Sequence, residues 1–186
     1  MAKTQYPVKI NHMDEKLQTV IFLMRHGHTN YRYFPLKGID DRRQLDVLGK
    51  KQIKLVGKYL NEFAPVAIYA SPMHRCQQTA EIIKQACEFK QTIETRQKLA
   101  EVYGLGSYMN AGKKAKTLLE EIINKHAGHQ VVVVSHQVPI EKTVAALGAD
   151  KEEADFPCKM GEGYRLVFAE NNFVSAQKIR PAQDVV

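Results

Sequence analysis

The sequence predicts an α/β fold: a three-layer α/β/α sandwich around a mostly parallel central sheet. Three observations carry this expectation. Short apolar runs rich in β-branched residues recur along the chain, helical patterns separate them, and a chain of 186 residues with 44 % hydrophobic content can bury one core without help from disulfides or metal. The runs are Thr19 to Met24, Val66 to Ala70 and Val131 to Val134. Each is too short for a core helix and each ends in a polar turn, so they read as buried parallel strands.

The elements between them follow from capping and periodicity. Asp46 is a good N-cap for a helix whose Ile53, Val56 and Leu60 share one face. Ser71-Pro72 read as the N-cap and first-turn proline of a helix carrying Cys76, Ala80 and Ile83. A third helix runs from about Ala115 to His126 and stops at Gly128. The tail, Gly163 to Glu170, then Asn171-Asn172, then Phe173 to Ile179, has hairpin character, since asparagine tolerates the positive φ of tight turns. Charge is spread evenly and there is no repeat or linker, so residues 18–186 read as one domain preceded by a polar extension over 1–17.

Composition narrows the function classes. Mean hydropathy is −0.36, and no apolar run approaches the roughly 20 residues of a membrane span, so no membrane partner is expected. The N-terminal stretch lacks an apolar signal core, which leaves the cytoplasm as the expected location. Cys76, Cys87 and Cys158 are too few and too scattered for a disulfide framework or a thiolate metal site. The formal charge of +7 fits nucleic acid or a phosphorylated ligand. With only 8 % aromatic residues there are few platforms for base stacking, so no nucleic-acid partner is expected.

Ligands of such folds sit beyond the carboxyl ends of the strands. The first strand exits into Arg25-His26-Gly27-His28-Thr29-Asn30, the second into Ser71-Pro72-Met73-His74-Arg75, and the third into Ser135-His136-Gln137. Two arginines and two histidines thus converge, with no carboxylate beside them to balance the charge. That describes an anion site, and a phosphoryl group is the natural anion. The arginine fork matches phosphate, and the N–H groups of the Gly27 turn and of the helix N-termini add donors. A histidine attacks phosphorus when its other ring nitrogen donates to a fixed acceptor such as a backbone carbonyl, and His26 suits that role. His28 reads as a supporting or surface residue, and His12, His74, His126 and His129 as solvated or capping groups.

Other chemistries fail on spacing. No Gly-x-Ser-x-Gly elbow accompanies Ser135-His136. His26-Gly27-His28 resembles a metallohydrolase pair, but that barrel needs roughly 250 residues. Cys158 to Arg165 encloses six residues, one too many for a cysteine-phosphatase loop. Gly106 to Gly112-Lys113 encloses five residues, one too many for a P-loop. Asp40-Asp41 lacks a second acidic cluster at a strand end, which argues against a magnesium-dependent phosphatase.

Leu23-Met24-Arg25-His26-Gly27-His28-Thr29-Asn30, then Gly38-Ile39-Asp40 leading to Leu45 through Gln52, then Ser71 through Glu81, then Val134-Ser135-His136 resemble the ordered signature of the histidine phosphatase superfamily, with its phosphoglycerate mutase-like fold. The resemblance implies that His26 becomes phosphorylated, that Arg25, Arg75 and His136 hold the phosphoryl group, and that an acidic residue protonates the leaving group. The family's Leu-x-Glu motif falls on Leu99-Ala100-Glu101, which makes Glu101 the acid. The catalytic set is then His26, Glu101 and His136, with Arg25, Gly27, Thr29, Asn30, Arg75 and Gln137 as phosphate-binding residues, and neither metal nor cofactor is implied. His28 stands where the family commonly has Glu, Gln or Asp, and Gln137 where it commonly has glycine, its side chain narrowing the pocket.

Between Glu101 and His136 there is room for little beyond one helix, so a long inserted lid is absent and an open site is expected. An open site exposes a phosphohistidine to water, which favours a phosphatase over a phosphomutase. Its partner is then a phosphorylated small molecule or a phosphohistidine protein. The alternative is a module that keeps the phosphate pocket without chemistry. Oligomeric state is not legible.

Overall fold

The computed structural model describes residues 17–30, 40–149 and 151–183. The polar extension lies, apart from Leu17, outside the described residues, and so does His12. Strands β1 (Gln18–Arg25), β2 (Ala67–Ala70), β3 (Glu94–Thr95), β4 (Gln130–Ser135), β5 (Gly163–Ala169) and β6 (Asn172–Ile179) form one sheet. Their order is β3-β2-β4-β1-β5-β6. The first four strands in that order run parallel, and β5 and β6 close the far side antiparallel. The expected hairpin is β5–β6, with Glu170 and Asn171 at positive φ in its turn.

Among the described residues the α-helices in chain order are α1 (Val47–Asn61), α2 (His74–Ala86), α3 (Leu105–Lys125), α4 (Gln137–Ala146) and the short α5 (Lys151–Ala154). Alternate residues of each central strand point to opposite faces. Val20, Phe22, Met24, Val132 and Val134 meet α1 and α2 through Ile53, Val56, Leu60, Cys76, Ala80 and Ile83. Ile21, Leu23, Val131 and Val133 meet α3 and α4 through Leu118, Leu119, Ile122, Ile140 and Val144. These two cores, one on each face, are the three-layer sandwich that the sequence predicts.

Two helix starts differ from expectation. α2 begins at His74 rather than beside Ser71, and Met73 caps it without a side-chain bond. Ser71 is drawn away because its hydroxyl faces His136 instead. α3 begins ten residues before Ala115, at Leu105 after Gly104, whose φ of 79° lets the chain turn into the helix. In that first stretch the apolar residues Leu105, Tyr108 and Met109 face solvent rather than the core, and Gly106, Ser107 and Asn110 between them are poor helix formers.

Register sets the site. Arg25 lies opposite Ser135, and Ala70 opposite Val134, so β1, β2 and β4 all stop at one level and discharge their loops at one end. The loop after β1 is pinned against α1. A Cβ on Gly49 would stand 2.0 Å from the His28 carbonyl oxygen, so only glycine lets helix and loop meet there. Asp46 fastens the same junction: its carboxylate accepts from the Gly49 N–H at 2.8 Å and pairs with His28 Nδ1 at 2.6 Å. Burial opposes its ionisation, but the Gly49 N–H and His28 hold the carboxyl below its ordinary range. Asp46→Ala is expected to lower unfolding free energy by about 1–2 kcal/mol through loss of this cap, with Asp46→Asn retaining most of it, as measured by urea unfolding.

Candidate active site

His26 follows β1 directly and is 2 % exposed. Its Nδ1 lies 2.8 Å from the carbonyl oxygen of Gly27. A carbonyl can only accept, so Nδ1 carries the proton. From the other side, Arg75 Nε lies 3.2 Å from His26 Nε2 and donates to it. Two independent partners therefore require the same neutral tautomer, with the lone pair on Nε2. Burial is the main reason that the His26 pKa falls well below its ordinary value, and the Arg75 charge adds to it.

His136 ends β4 and is fully buried. Arg75 Nη2 donates to its Nδ1 at 3.2 Å, so Nε2 keeps a proton and donates to Ser71 Oγ at 2.8 Å. Burial again lowers its pKa well below the ordinary value, with His26 and Arg75 contributing. Arg75, from the first turn of α2, is itself 0 % exposed. Arg25 leaves β1 toward α4 instead, where its Nη1 donates to Gln137 Oε1 at 2.9 Å and to the Cys158 carbonyl at 2.8 Å. Its Nε is buried without a hydrogen-bond partner among the described residues.

The cluster is not free of carboxylates, contrary to the sequence reading. Glu101 Oε2 stands 3.5 Å from His136 Nδ1 and 3.8 Å from Arg75 Nη2. Asp40 takes Arg75 through its main-chain oxygen at 2.8 Å and its carboxylate at 3.0 Å. Both acids come from segments connecting the larger elements, Asp40 at the end of a helical turn and Glu101 in a loop, whose approach to the strand ends no local pattern announces. Burial raises the Glu101 pKa, against the pull of the Val102 N–H, Arg75 and Arg25.

Other expectations are corrected in detail. The Gly27 N–H is not a spare donor, since it is spent on Thr79 Oγ1 at 3.2 Å. The glycine is required for packing, because a Cβ there would lie 2.6 Å from Ile53 Cγ1. Thr29 is fully buried, and its hydroxyl has no hydrogen-bond partner among the described residues. Asn30 is exposed, and among the described residues none of the site's hydrogen bonds reaches it. The Gln137 side chain turns to Arg25, as a narrowing group would. His28 is a supporting residue held by Asp46. His74 and His129 are exposed, while His126 caps α3 and meets the Tyr69 hydroxyl at 2.9 Å. Nor is the site open at His26: Arg75 covers it, and Asp40 covers Arg75. Space lies instead beside Glu101, in a cavity of about 520 Å³ lined among others by Asp41, Lys98, Tyr103, Ser107 and Lys114.

Asp40, Arg43 and Ser71 are the site residues that sequence reasoning missed. Arg43 pairs with Asp40 Oδ1 at 3.0 Å, and its charge helps depress His26 and His136. The Arg42-Arg43 pair just before the Asp46 cap was the available signal. Among the described residues, no group of three His, Cys, Asp or Glu side chains is arranged to hold a metal ion.

Two neutral buried imidazoles make stability pH-dependent. The unfolded chain protonates them near pH 6.5 and the folded one does not, so stability is complete above that value and falls as pH drops below it. Each contributes about 1.4 kcal/mol per pH unit. Urea unfolding between pH 7 and pH 5 should show this slope, and His26→Gln should remove one imidazole's share.

The sequence profile of the histidine phosphatase superfamily (branch 1) matches residues 21–108 and 103–178. A metal-independent phosphoserine phosphatase from Arabidopsis thaliana is 26 % identical over 152 residues. That alignment covers 63 % of this chain and 64 %, less than two thirds, of the Arabidopsis protein. Among solved structures, the protein histidine phosphatase SixA complexed with tungstate superposes with a TM-score of 0.67 at 18 % identity, covering 87 % of this chain and 97 % of that one. A mutant phosphoserine phosphatase from Entamoeba histolytica in complex with phosphoserine gives 0.70 at 17 %, covering 90 % and 100 %. A phosphoglycerate mutase from Bacillus anthracis gives 0.69 at 16 %, covering 91 % and 96 %. The solved structures share the fold, and the profile match across both cores and all three strand-end loops decides the family: this chain belongs to the histidine phosphatase superfamily.

Proposed function

We propose that this chain is a metal-independent phosphatase that hydrolyses small phosphomonoesters through a phosphohistidine on His26. The observation that carries it is the doubly enforced tautomer of His26, with Nδ1–H on the Gly27 carbonyl and the Nε2 lone pair turned toward Arg75. In the first step the phosphoryl group draws the Arg75 Nε–H away from that lone pair, which then forms the N–P bond, the bond from phosphorus to the leaving oxygen breaks, and Glu101 supplies the proton that the leaving oxygen needs. In the second, water attacks phosphorus, Glu101 takes back a proton and the N–P bond returns its pair to Nε2. Arg25 and Arg75 neutralise the charge carried through both transition states, and neutral His136 keeps Arg75 aimed. Gln137 sets the reach of Arg25. Thr29 and the backbone around Gly27 shape the floor of the site.

The position of Glu101 favours an alkyl phosphomonoester over a phosphohistidine protein. An alkoxide leaves only with a proton, and a raised carboxyl 3.5 Å from His136 and bordering the cavity is placed to give one. The cavity walls carry both signs of charge, which suits a small charged alcohol. The names of the relatives, with phosphoserine and phosphoglycerate among them, support that class. The cysteines Cys76, Cys87 and Cys158 are unpaired, which supports work in a reducing compartment, the cytoplasm. No described helix is long and apolar enough to cross a membrane.

Rapid-quench labelling with a radioactive phosphomonoester is expected to give an acid-labile, base-stable label that His26→Ala abolishes. Absence of label with turnover intact would refute the mechanism. Glu101→Gln should slow hydrolysis of alkyl phosphates by about 100-fold to 10,000-fold and spare phosphorylation by aryl phosphates, whose phenols leave without help. Equal losses on both would show that Glu101 only positions the phosphate.

A further inference from the structure

All three nitrogens of the Arg75 guanidinium are already engaged. Nε donates to His26, Nη1 to the Asp40 main-chain oxygen, and Nη2 to both Asp40 Oδ2 and His136 Nδ1. Asp40 is itself held from two further sides, by Arg43 on Oδ1 at 3.0 Å and by the Tyr103 hydroxyl on Oδ2 at 2.7 Å. Its side chain is 12 % exposed. One carboxylate thus ties the segment before α1 to the start of α2 and to the loop that carries Glu101. It lies on the guanidinium edge that an incoming oxyanion needs.

We propose that Asp40 is a positioning residue that acts as an internal anion: it holds Arg75 ready over His26, yields an edge of the guanidinium to the phosphoryl group, and retakes it as inorganic phosphate leaves. The inference rests on the phosphatase reading above. Arg25, Arg43 and Arg75 concentrate positive charge around one buried point, and such a cluster binds its product phosphate as readily as its substrate. A fixed carboxylate within the cluster weakens ground-state binding of a dianion by repulsion, which speeds release. The same carboxylate acts on Glu101. Arg75 from α2, Arg25 from β1 and the Val102 N–H all favour the ionised form of Glu101, whereas Asp40 favours the protonated form that gives up a proton. His136 from β4 is neutral, and Lys98, Lys114, Asp41 and Tyr103 share the cavity on the open side.

The test is Asp40→Asn, which preserves size, leaves Tyr103 an acceptor and leaves the main-chain oxygen on Arg75. Asp40→Ser serves as a second neutral replacement should the first not fold. Calorimetric titration with inorganic phosphate is expected to show binding tightened roughly 10-fold, the equivalent of about 1.4 kcal/mol. Turnover of an alkyl phosphate should show lower kcat and lower KM together, with the basic limb of the kcat/KM profile moved to lower pH as Glu101 loses its proton sooner. Unchanged or weaker phosphate binding in a variant of wild-type thermal stability overturns the inference, because a mere brace for Arg75 would loosen the site. Wild-type and variant proteins that both bind no phosphate and take no label from a phosphomonoester sink the phosphatase reading and this inference with it, whereas binding seen only in the variant supports the inference. Wild-type binding without tightening in the variant sinks this inference alone.

Discussion

A guanidinium cannot be buried completely unless its charge and its N–H groups are met, and Arg75 is buried completely. Meeting it requires Asp40 from the segment between β1 and α1, His26 from the end of β1 and His136 from the end of β4 to reach one point. Those demands explain much of the architecture. The strands must be parallel and stop in step, which the pairing of Arg25 with Ser135 and of Ala70 with Val134 ensures. The first turn of α2 must abut them, and Thr79, one turn further along, ties that helix to the Gly27 N–H while bonding back to the Arg75 carbonyl at 2.7 Å. Gly27 and Gly49 are small for the same reason, since the loop after β1 has to lie flat on α1 to bring His26 under the arginine.

The arginine in turn dictates the state of the histidines. Burial penalises protonation of both imidazoles and the buried cation beside them adds to it, so the pair stays neutral where free histidines would titrate. Neutral imidazoles still need their tautomers chosen. The Gly27 carbonyl chooses for His26, while Arg75, with Ser71 accepting on the far side, chooses for His136. The proposed nucleophile and the imidazole that bridges Arg75 and Ser71 thus come from the same residue type in the same site, distinguished only by which nitrogen faces the arginine. Cys76 packs against His136 without joining this chemistry, because burial pushes its thiol up to about 12.

The residues legible in the sequence were those whose chemistry coincided with a local pattern. Arg25, His26 and His136 directly follow β-branched runs, and Arg75 stands close behind another, so strand periodicity placed them. Asp46 was visible because capping is local. Asp40 and Ser71 were not, because their partners lie far away in sequence, and Arg43 was not, because its partner Asp40 three residues back gains its meaning only from the distant Arg75. Asp40 stands in the sequence as half of a rejected metal pair and as one residue of the family signature, with nothing to name its partner, an arginine 35 residues on. Ser71 illustrates a second limit: serine before proline is a good helix cap, but a buried imidazole nitrogen is the more demanding partner and took the hydroxyl. Glu101 came through a family motif alone, since a glutamate in a loop is otherwise indistinguishable from a solvated one. The covered nucleophile was missed because sequence length reports whether a lid is inserted, not how an arginine already present folds over the site.

The strand order places β1 and β4 side by side in the middle of the sheet, flanked by β2 and β5, with the two-residue β3 and the hairpin strand β6 outside. Native-state hydrogen exchange proceeds through partial openings that peel away the least supported elements first. Here those elements are the margins, and losing β3 or β6 leaves the adjoining pair that carries His26 and His136 intact. The slowest amides to exchange therefore lie next to the reacting groups. The pair of strands that carries His26 and His136 is thus expected to be the last cooperative unit to open, so the chain can breathe at its borders without dissolving the geometry that the proposed reaction requires.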